Sequence, residues 1–494
     1  METFYRPTWV EVSLDALRHN IRAFRQALPA EMKVMAVVKA DGYGHGAVKV
    51  AQEAMECGVS YIGVAFLDEA LELRREGVKA PILVLGYTQP EGIPLAIEHD
   101  ITLTVFQDEL WAALEERLQA ASGPTAEAGI SSLGKGPEDS AHAAIEASVQ
   151  QGSPSSMRGP QSRAGCHPTN VITTDATTGR VSKPETAAVS ESMSTDAFTS
   201  TSESIHANDI DTNMTATAAT TAALATLRKL KVHIKIDTGM GRLGLQPNDE
   251  AISYITRAVE HPLLDVEGVY THFACADEAD KAYTLEQHRK FDRIIRHLEE
   301  RGVAFRYVHT GNSAAGIDCP ELSYTMVRLG IGMYGLYPSE EVNKERVQLE
   351  PVMSIKTRAV HVKTLPAGSG ISYGTTYHTS GEECIATLPI GYADGYSRML
   401  SGKAQAIVRG RKVPIVGRIC MDQCMANVSG LGDLSKAEEV VLMGRQQDEA
   451  ITAEDLAALL GTVNYEITCM VSHRVPRVYI RDGRREDVLN PLIR

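Results

Sequence analysis

The sequence predicts an α/β fold, a TIM-like (β/α)8 barrel followed by a β-rich C-terminal domain. Two observations favour this fold, one for the barrel and one for the β-rich domain. Short apolar runs typical of buried parallel strands alternate with stretches of helical periodicity, and eight such runs precede residue 345. From about Pro351, strand-like segments joined by glycine- and proline-bearing turns replace this alternation. We therefore expect the barrel over residues 1–345 and the β-rich domain over residues 346–494.

The first predicted element is an amphipathic helix, because five apolar residues recur at intervals of three and four. These residues are Leu14, Leu17, Ile21, Phe24 and Leu28. The run 33–38 follows and is the first predicted barrel strand. Seven further strands are predicted at 61–65, 82–85, 101–105, 232–236, 266–271, 305–309 and 328–331. An open doubly wound sheet would use the same local units, and the strand count favours the closed barrel.

The C-terminal part reads mainly as strands. The strand-like segments are 352–362, 383–388, 404–408 and 413–419. One helix is predicted among them, with Thr452 as its N-cap and Gly461 as its stop residue.

Residues 121–222 have a different composition. They are rich in Ser, Thr, Ala and Gly and lack sustained periodicity. Such a segment cannot bury enough apolar area to offset the entropy of ordering it, so we predict a disordered insertion. It lies between the helix after the fourth strand and the fifth strand. We therefore expect it to leave the barrel at the N-terminal face, opposite the face where catalytic groups gather.

The overall charge bounds the partners. A formal net charge of −14 argues against nucleic acid or an anionic membrane surface, because both need clustered Lys and Arg. The eight cysteines show neither a disulfide framework nor zinc-site spacing, so no metal site is predicted. No secretory signal and no membrane-spanning run is visible, and we expect a cytoplasmic protein.

Lys39 is the first candidate for chemistry. It directly follows the first predicted barrel strand and precedes Gly42, Gly44 and Gly46. A lysine at a strand end is commonly a solvated surface group. The C-terminal end of a barrel strand, followed by glycines that let a ligand approach the backbone, favours a functional role.

The segment 239–244 matches the dinucleotide fingerprint G-x-G-x-x-G, and Glu260 and Asp265 lie near the distance expected for a ribose-binding acid. This pattern would indicate a dehydrogenase. It begins at the fifth strand rather than the first, and Arg242 lies inside the loop that a pyrophosphate must approach. We therefore keep the dehydrogenase as the weaker alternative.

Six motifs together resemble the alanine racemase family. They are 36–46 (AVVKADGYGHG), 235–244 (KIDTGMGRLG), 309–313 (HTGNS), 328–332 (RLGIG), 370–374 (GISYG) and 418–422 (RICMD). They run in family order along the whole chain except the insertion. The resemblance implies a fold-type III enzyme that uses pyridoxal 5'-phosphate to interconvert L- and D-alanine, supplying D-alanine for peptidoglycan. It also implies a homodimer in which the β-rich domain reaches the active site of the partner subunit.

The resemblance implies specific catalytic roles. Lys39 would hold the cofactor as a Schiff base and take the α-proton of D-alanine, while Tyr373 would serve L-alanine. A phenol is a poor base near neutral pH, and a chain through His272 to Arg328 would supply its proton route. Arg328 would also face the pyridine nitrogen and, being always protonated, keep that nitrogen neutral.

The remaining implied roles concern binding. The cofactor phosphate would contact Tyr43, Asn312, Ser313, Gly330, Ile331 and Tyr465. Substrate would contact Arg242 and Met421, Lys235 matches a lysine that is often carbamylated, and Tyr392 and Asp277 match residues of a narrow entrance. One departure is Asp41, which stands where many relatives have Asn, and we expect it to have little effect.

Three alternatives remain close to this interpretation. A serine or broad-specificity racemase, or a decarboxylase built from a similar barrel and β-domain, would share most motifs, and Tyr465 favours the smaller alanine side chain. A non-catalytic carrier of pyridoxal phosphate is a different class. The motifs around Tyr373 and Met421 argue against it, because such carriers lack a catalytic β-domain.

Overall fold

The computed structural model describes residues 4–122, 228–434 and 438–493. Apart from Ala121 and Ser122, which end a helix, the predicted disordered insertion lies outside the described residues. The chain opens with strand β1 (Thr8–Ser13) and helix α1 (Leu14–Ala27). The side chain of Ser13 accepts the N–H of Ala16 and caps α1. The apolar face predicted for this helix is buried, as expected from its periodicity.

Eight parallel strands form one sheet. They are β2 (Lys33–Val37), β3 (Tyr61–Val64), β4 (Ile82–Val84), β5 (Ile101–Val105), β6 (Leu230–Lys235), β7 (Leu264–Tyr270), β8 (Tyr307–His309) and β9 (Met326–Leu329). Their order is β8-β7-β6-β5-β4-β3-β2-β9. The first and last of these strands along the chain, β2 and β9, are thus paired neighbours. The sheet is a nearly closed barrel, and the predicted (β/α)8 architecture is confirmed.

Helices separate the barrel strands. They are α2 (Lys39–Tyr43), α3 (Ala47–Glu56), α4 (Leu67–Arg75), α5 (Ile93–Glu98), α6 (Glu109–Ser122), α7 (Asp249–Glu260), α8 (Ala282–Glu299) and α9 (Ser313–Asp318). The strands are buried almost throughout, which explains why they read as unbroken apolar runs. None of the helices within the described ranges has the length and apolarity that crossing a bilayer requires.

The second sheet is strand-rich, as predicted. Its further strands are β10 (Met353–Arg358), β11 (His361–Leu365), β14 (Glu383–Leu388), β15 (Gln405–Val408), β16 (Arg411–Val416), β17 (Cys424–Asn427), β18 (Glu439–Gln446), β19 (Glu449–Ile451), β20 (Arg477–Arg481) and β21 (Arg484–Leu489). A small hairpin joins β12 (Gly370–Ile371) and β13 (Tyr377–His378). In the large sheet β1 lies between β10 and β20, so the N-terminal strand pairs with the strand-rich part. The predicted domain bounds, 1–345 and 346–494, stay predictions.

Two details differ from the sequence-based expectation. The run 352–362 is not one strand, because β10 ends at Arg358 and β11 begins at His361. The predicted helix is present as α10 (Ala453–Leu460), with the Thr452 cap and the Gly461 stop. A second helix, α11 (Asn464–Cys469), follows it. Six residues are too few to show helical periodicity, which is why this helix was missed.

The strand-rich part contacts the barrel at the turn that follows Lys39. Arg477 is buried, and its Nε donates to the carbonyl oxygen of Gly44 at 3.0 Å. A Cβ atom on Gly44 would lie 2.2 Å from the carbonyl oxygen of Thr468 in α11, so the two backbones meet without room for a side chain. This junction fixes the position of the segment that carries Lys39.

Candidate active site

The C-terminal ends of the barrel strands carry several of the predicted site residues. Lys39 follows β2, Lys235 ends β6, and Arg328 lies in β9. Strand register brings neighbours together, since Met35 of β2 pairs with Arg328 and Lys235 pairs with Tyr270 of β7. The closed parallel arrangement therefore gathers these side chains at one rim of the barrel.

This rim concentrates positive charge: Lys235 and Arg328 are buried, Lys39 is partly exposed and Arg242 is exposed. Burial lowers the pKa of Lys39, and the nearby Arg242 lowers it further. Burial, Arg242 and Arg328 together lower the pKa of Lys235 to about 7. Arg328 is 3% exposed, and burial lowers its pKa to about 10. Buried cations that repel one another are stabilised by an anion, so the rim is suited to a ligand that carries negative groups.

Arg328 is held by four acceptors. Its Nη1 donates to Nδ1 of His309 at 2.9 Å, and its Nη2 donates to Nδ1 of His272 at 2.9 Å. Nη2 also donates to the carbonyl oxygens of Thr271 at 3.0 Å and Thr310 at 2.9 Å. A guanidinium has no acceptor, so both imidazoles must accept through Nδ1 and carry their proton on Nε2. Burial, followed by the charge of Arg328, keeps the pKa of both histidines well below the usual range, and both are neutral.

Sequence reasoning missed His309 and His233 as parts of this network. Nε2 of His309 donates to Nδ1 of His233 at 2.9 Å, and the His309 ring stacks on Tyr270 at 4.7 Å. A weak signal was present, because His233 and Lys235 are two residues apart in β6 and so point to the same side of the strand. A polar pair at that spacing in a buried strand indicates a polar interior.

The loop that matched the dinucleotide fingerprint has a different role. The N–H groups of Gly239 and Gly241 donate to Oδ1 of Asp237 at 3.0 Å, and that of Arg242 donates to Oδ2 at 3.1 Å. A carboxylate of this chain therefore takes the backbone donors that a pyrophosphate would need. The loop instead holds Arg242 beside Lys235 and Lys39.

A small cradle lies next to Lys39. Oγ of Ser313 accepts the N–H of Gly330 at 2.9 Å and that of Gly332 at 3.3 Å. A Cβ atom on Gly330 would lie 2.7 Å from the hydroxyl oxygen of Tyr43, so glycine lets this hydroxyl lie close to the backbone. The ring of Tyr465 is 6.3 Å from that of Tyr43. Hydroxyls and backbone amides gathered at one point are groups that bind phosphate, and in this structure the Gly330 amide is engaged by Ser313.

Asn312 and Ile331 flank the cradle. Oδ1 of Asn312 accepts the N–H of Ala315 at 3.0 Å and caps α9, so this side chain shapes the turn before Ser313. Ile331 is buried and begins the short helical turn after Gly330. Both residues thus lie beside Ser313 and Gly330, and the Asn312 side chain is already engaged within the chain.

The backbone after Lys39 is left-handed. Ala40, Asp41, Gly42 and Tyr43 have φ values of 53°, 52°, 61° and 52°. The N–H of Gly42 donates to the carbonyl oxygen of Val38 at 2.8 Å, and that of Gly46 donates to the carbonyl oxygen of Asp41 at 2.9 Å. Only one of the four is a glycine, so this conformation could hardly be predicted from the residue types alone. The turn brings the Tyr43 hydroxyl to the cradle.

Asp41 also caps the next helix. Its Oδ1 accepts the N–H of Ala47, the first residue of α3, at 2.9 Å. An asparagine oxygen would accept the same bond. Oδ2 of Asp41 also lies 3.6 Å from Nη2 of the buried Arg477, an ion pair that asparagine would lack, so the small effect expected from this departure stays a prediction.

Tyr373 and Met421 lie elsewhere in the chain. Tyr373 is 72% exposed and Met421 is 53% exposed, and both belong to the strand-rich part. Tyr392 lies beside Met421, because its N–H donates to the carbonyl oxygen of Cys420 at 3.1 Å. A ring exposed to this degree is not packed in the buried cluster around Arg328. Tyr373 and Met421 are thus exposed on the strand-rich part and do not belong to the buried cluster around Arg328.

Asp277 lies on the barrel side, near Tyr465. Burial raises the pKa of Tyr465, and the negative charge of Asp277 raises it further. The Asp277 carbonyl oxygen accepts the hydroxyl of Ser339 at 2.5 Å. The two predicted entrance residues, Asp277 and Tyr392, therefore lie on different parts of the molecule.

Comparison with known proteins gives an independent result. The model of the alanine racemase N-terminal domain matches residues 12–130 and 207–338, and that of the C-terminal domain matches residues 352–479. The alanine racemase of Desulforamulus reducens is 38% identical over 474 residues, covering 96% of this chain and 99% of the relative.

Solved structures agree with these matches. The alanine racemase of Clostridium difficile has a TM-score of 0.73 at 33% identity and covers 99% of this chain and 100% of its own. The alanine racemase of Bacillus anthracis with bound L-Ala-P has a TM-score of 0.72 at 36% identity, with 99% of each chain covered. Both domain models match, the relatives extend along nearly the full length, and the fold is shared, so the chain belongs to the alanine racemase family, whose members depend on pyridoxal 5'-phosphate.

Proposed function

We propose that this protein is an alanine racemase that interconverts L- and D-alanine with pyridoxal 5'-phosphate at the barrel rim. The observation that carries the proposal is the buried Arg328, fixed by His272 and His309 beside Lys39 in a cation-rich rim. Relatives that match nearly the whole chain are named alanine racemases. Family membership and geometry thus support the same reaction.

Eight residues would hold the cofactor. They are Lys39, Tyr43, Asn312, Ser313, Arg328, Gly330, Ile331 and Tyr465. When bound, the cofactor delocalises the negative charge left on the α-carbon after a proton is removed. The lowered pKa of Lys39 increases the share of free amine, which suits both covalent attachment and proton removal. Arg328 would donate to the ring nitrogen and keep it unprotonated, because the guanidinium holds its proton at neutral pH.

Racemisation needs proton-transfer groups on opposite faces of the α-carbon, and we assign them to Lys39 and Tyr373. Because Tyr373 is exposed within one chain, a second copy would have to bring its own Tyr373 to the rim. Met399 and Met421 are also exposed in this part, by 63% and 53%. Exposed large apolar side chains on one region favour an isologous contact, so we propose a homodimer with shared active sites.

His272 would couple Arg328 to the tyrosine. Its proton lies on Nε2, because Nδ1 accepts from Arg328. That Nε2–H group can donate to the oxygen of Tyr373 of the partner subunit and stabilise its deprotonated form. The cation behind the imidazole lowers the cost of that negative charge. This arrangement would let a phenol act as a base near neutral pH.

Lys235 and Arg242 would serve the substrate carboxylate. A pKa of about 7 leaves a large share of the Lys235 amine neutral at physiological pH. A neutral amine can add carbon dioxide and release a proton, which would give the carbamate that the family resemblance implies. That anion would hold Arg242 in place, and Arg242 together with the Met421 amide of the partner subunit would bind the carboxylate of alanine.

We also propose that the D-alanine serves peptidoglycan synthesis in the cytoplasm. The cysteines that the structure describes carry free thiols, as expected in a reducing compartment. Tyr392 and Asp277 would narrow the entrance to the site and favour a small substrate. Serine would be the nearest competitor, because it adds a single oxygen to the alanine side chain.

Lys39→Ala should abolish racemisation, with a loss of about a thousandfold or more, because the variant lacks both the attachment point and one base. Circular dichroism of the alanine solution measures racemisation. The near-visible absorbance of the purified protein measures cofactor attachment. The matched control is Lys363→Ala, an exposed lysine on β11. The assignment is wrong if Lys39→Ala still gives a borohydride-reducible cofactor adduct at one defined residue.

Tyr373→Phe should lower kcat/KM about a hundredfold or more. The loss must be equal in both directions, because the two enantiomers have equal free energies in water. In D2O, Lys39 should still exchange the α-proton of D-alanine without inverting it, and proton NMR measures this. Tyr5→Phe, at a phenol that is 94% exposed, is the control. Inversion at the wild-type rate would contradict the two-base assignment.

Deleting residues 131–206, which the N-terminal family match omits, should leave kcat within about threefold of wild type. The segment enters between α6 and β6, at the N-terminal end of β6, whereas Lys235 lies at the other end of that strand. Steady-state kinetics of the shortened protein measures the effect. A large loss of kcat in a shortened protein that retains its melting temperature would contradict the placement away from the site.

A further inference from the structure

Glu69 links two elements near Lys39, the start of α4 and the turn that follows β2. It is the third residue of α4 and is partly buried. Its Oε2 accepts the N–H groups of Ala65 at 2.7 Å and Phe66 at 3.3 Å, which caps the start of its own helix. Its Oε1 accepts the N–H of Ala40 at 2.7 Å. One carboxylate oxygen thus caps the helix, and the other accepts a hydrogen bond from the residue that follows Lys39.

Ala40 is the first residue of the left-handed turn. Such a conformation costs about 1–2 kcal/mol for a residue that carries a Cβ atom, and it persists only where the surroundings impose it. Glu69 holds the beginning of the turn through the Ala40 N–H. Arg477 holds its end, because its Nε donates to the Gly44 carbonyl oxygen at 3.0 Å. Both restraints come from outside the turn.

The charge of Glu69 acts in the same place. Burial and the charge of Arg242 lower the pKa of Lys39, and the carboxylate of Glu69 is the first group that opposes them. The same side chain therefore contacts the peptide next to Lys39 and moderates its electrostatic environment.

We propose that Glu69 is a positioning residue for Lys39: by holding the Ala40 peptide, it fixes the direction in which the lysine leaves β2. The proposal rests on the proposed function, because it assigns Glu69 a role in the step that Lys39 performs. A displacement of about 1 Å at a reacting group can cost a hundredfold in rate. Loss of the contact to Ala40 should therefore reduce turnover, although the contacts of Glu69 are to the backbone of Ala40, Ala65 and Phe66.

Glu69→Asp separates this role from helix capping. An aspartate in the third helical position can accept the N–H of the N-cap residue. In α10, Oδ2 of Asp455 accepts the N–H of Thr452 in this way, at 2.8 Å. Aspartate at position 69 would thus keep the negative charge and the cap but would be one methylene too short to reach Ala40. Asp455→Asn is the matched control, since it weakens a cap of the same type on another helix.

The expected result is a loss in kcat of about tenfold or more in Glu69→Asp, with KM for alanine within about threefold. Pyridoxal phosphate should also leave the diluted holoenzyme faster, as followed by its visible absorbance. Asp455→Asn should retain wild-type kcat and cofactor release. The proposal is overturned if Glu69→Asp and Asp455→Asn match in both readouts in an enzyme that racemises alanine. A wild-type protein without racemase activity would instead overturn the proposed function.

A second variant tests the role of the turn. Glycine adopts positive φ without a Cβ penalty, so with Ala40→Gly the turn should depend less on the hydrogen bond from Glu69. In the Glu69→Asp background it should restore kcat several-fold, whereas in the Asp455→Asn background it should change little. A double variant as slow as Glu69→Asp alone would show that the conformation at Ala40 is not what Glu69 controls, and would contradict the proposal.

Discussion

The site depends on a guanidinium that can only donate hydrogen bonds. Arg328 is buried, and it is stabilised by donating to two imidazoles and two backbone carbonyls. Because the arginine has no acceptor, both histidines present Nδ1 and keep their proton on Nε2. The pairing of β2 with β9 then places this network next to the strand that leads to Lys39. Closure of the barrel thus sets protonation states as well as positions.

The strand-rich part contributes to the site in two different ways. Inside the chain, Arg477 holds the end of the left-handed turn and so supports the segment that carries Lys39. The same part also exposes Tyr373. The barrel rim supplies cations, a cradle suited to phosphate and Lys39, the base that we assign to one face of the substrate. Because the second assigned base, Tyr373, is exposed in the strand-rich part, the assignment needs a second copy of the chain, which is the physical reason for the proposed dimer.

Much of the fold could be predicted because buried parallel strands are short, apolar and separated by amphipathic helices, as around Lys33–Val37. Local signals also placed α10, with Thr452 before it and Gly461 after it. Features that depend on contacts between residues remote in sequence could not be predicted in the same way. The strand β1 joins the strand-rich sheet through pairing with β10 and β20, whose partners are remote in sequence. Ala40 adopts positive φ in a turn whose ends are hydrogen-bonded to Glu69 and Arg477, which lie in other elements. His309 was missed because its role depends on a contact with another strand.

We propose that one active site uses Lys39 of one subunit and Tyr373 of the other. Mixed dimers of Lys39→Ala and Tyr373→Phe chains, purified by two different tags, test it directly. If the site is shared, one of the two sites in the mixed dimer keeps both bases, and activity should return to about half that of the wild type. If both bases belong to the same chain, each site lacks one of them. A purified mixed dimer as inactive as its two parents would contradict the account.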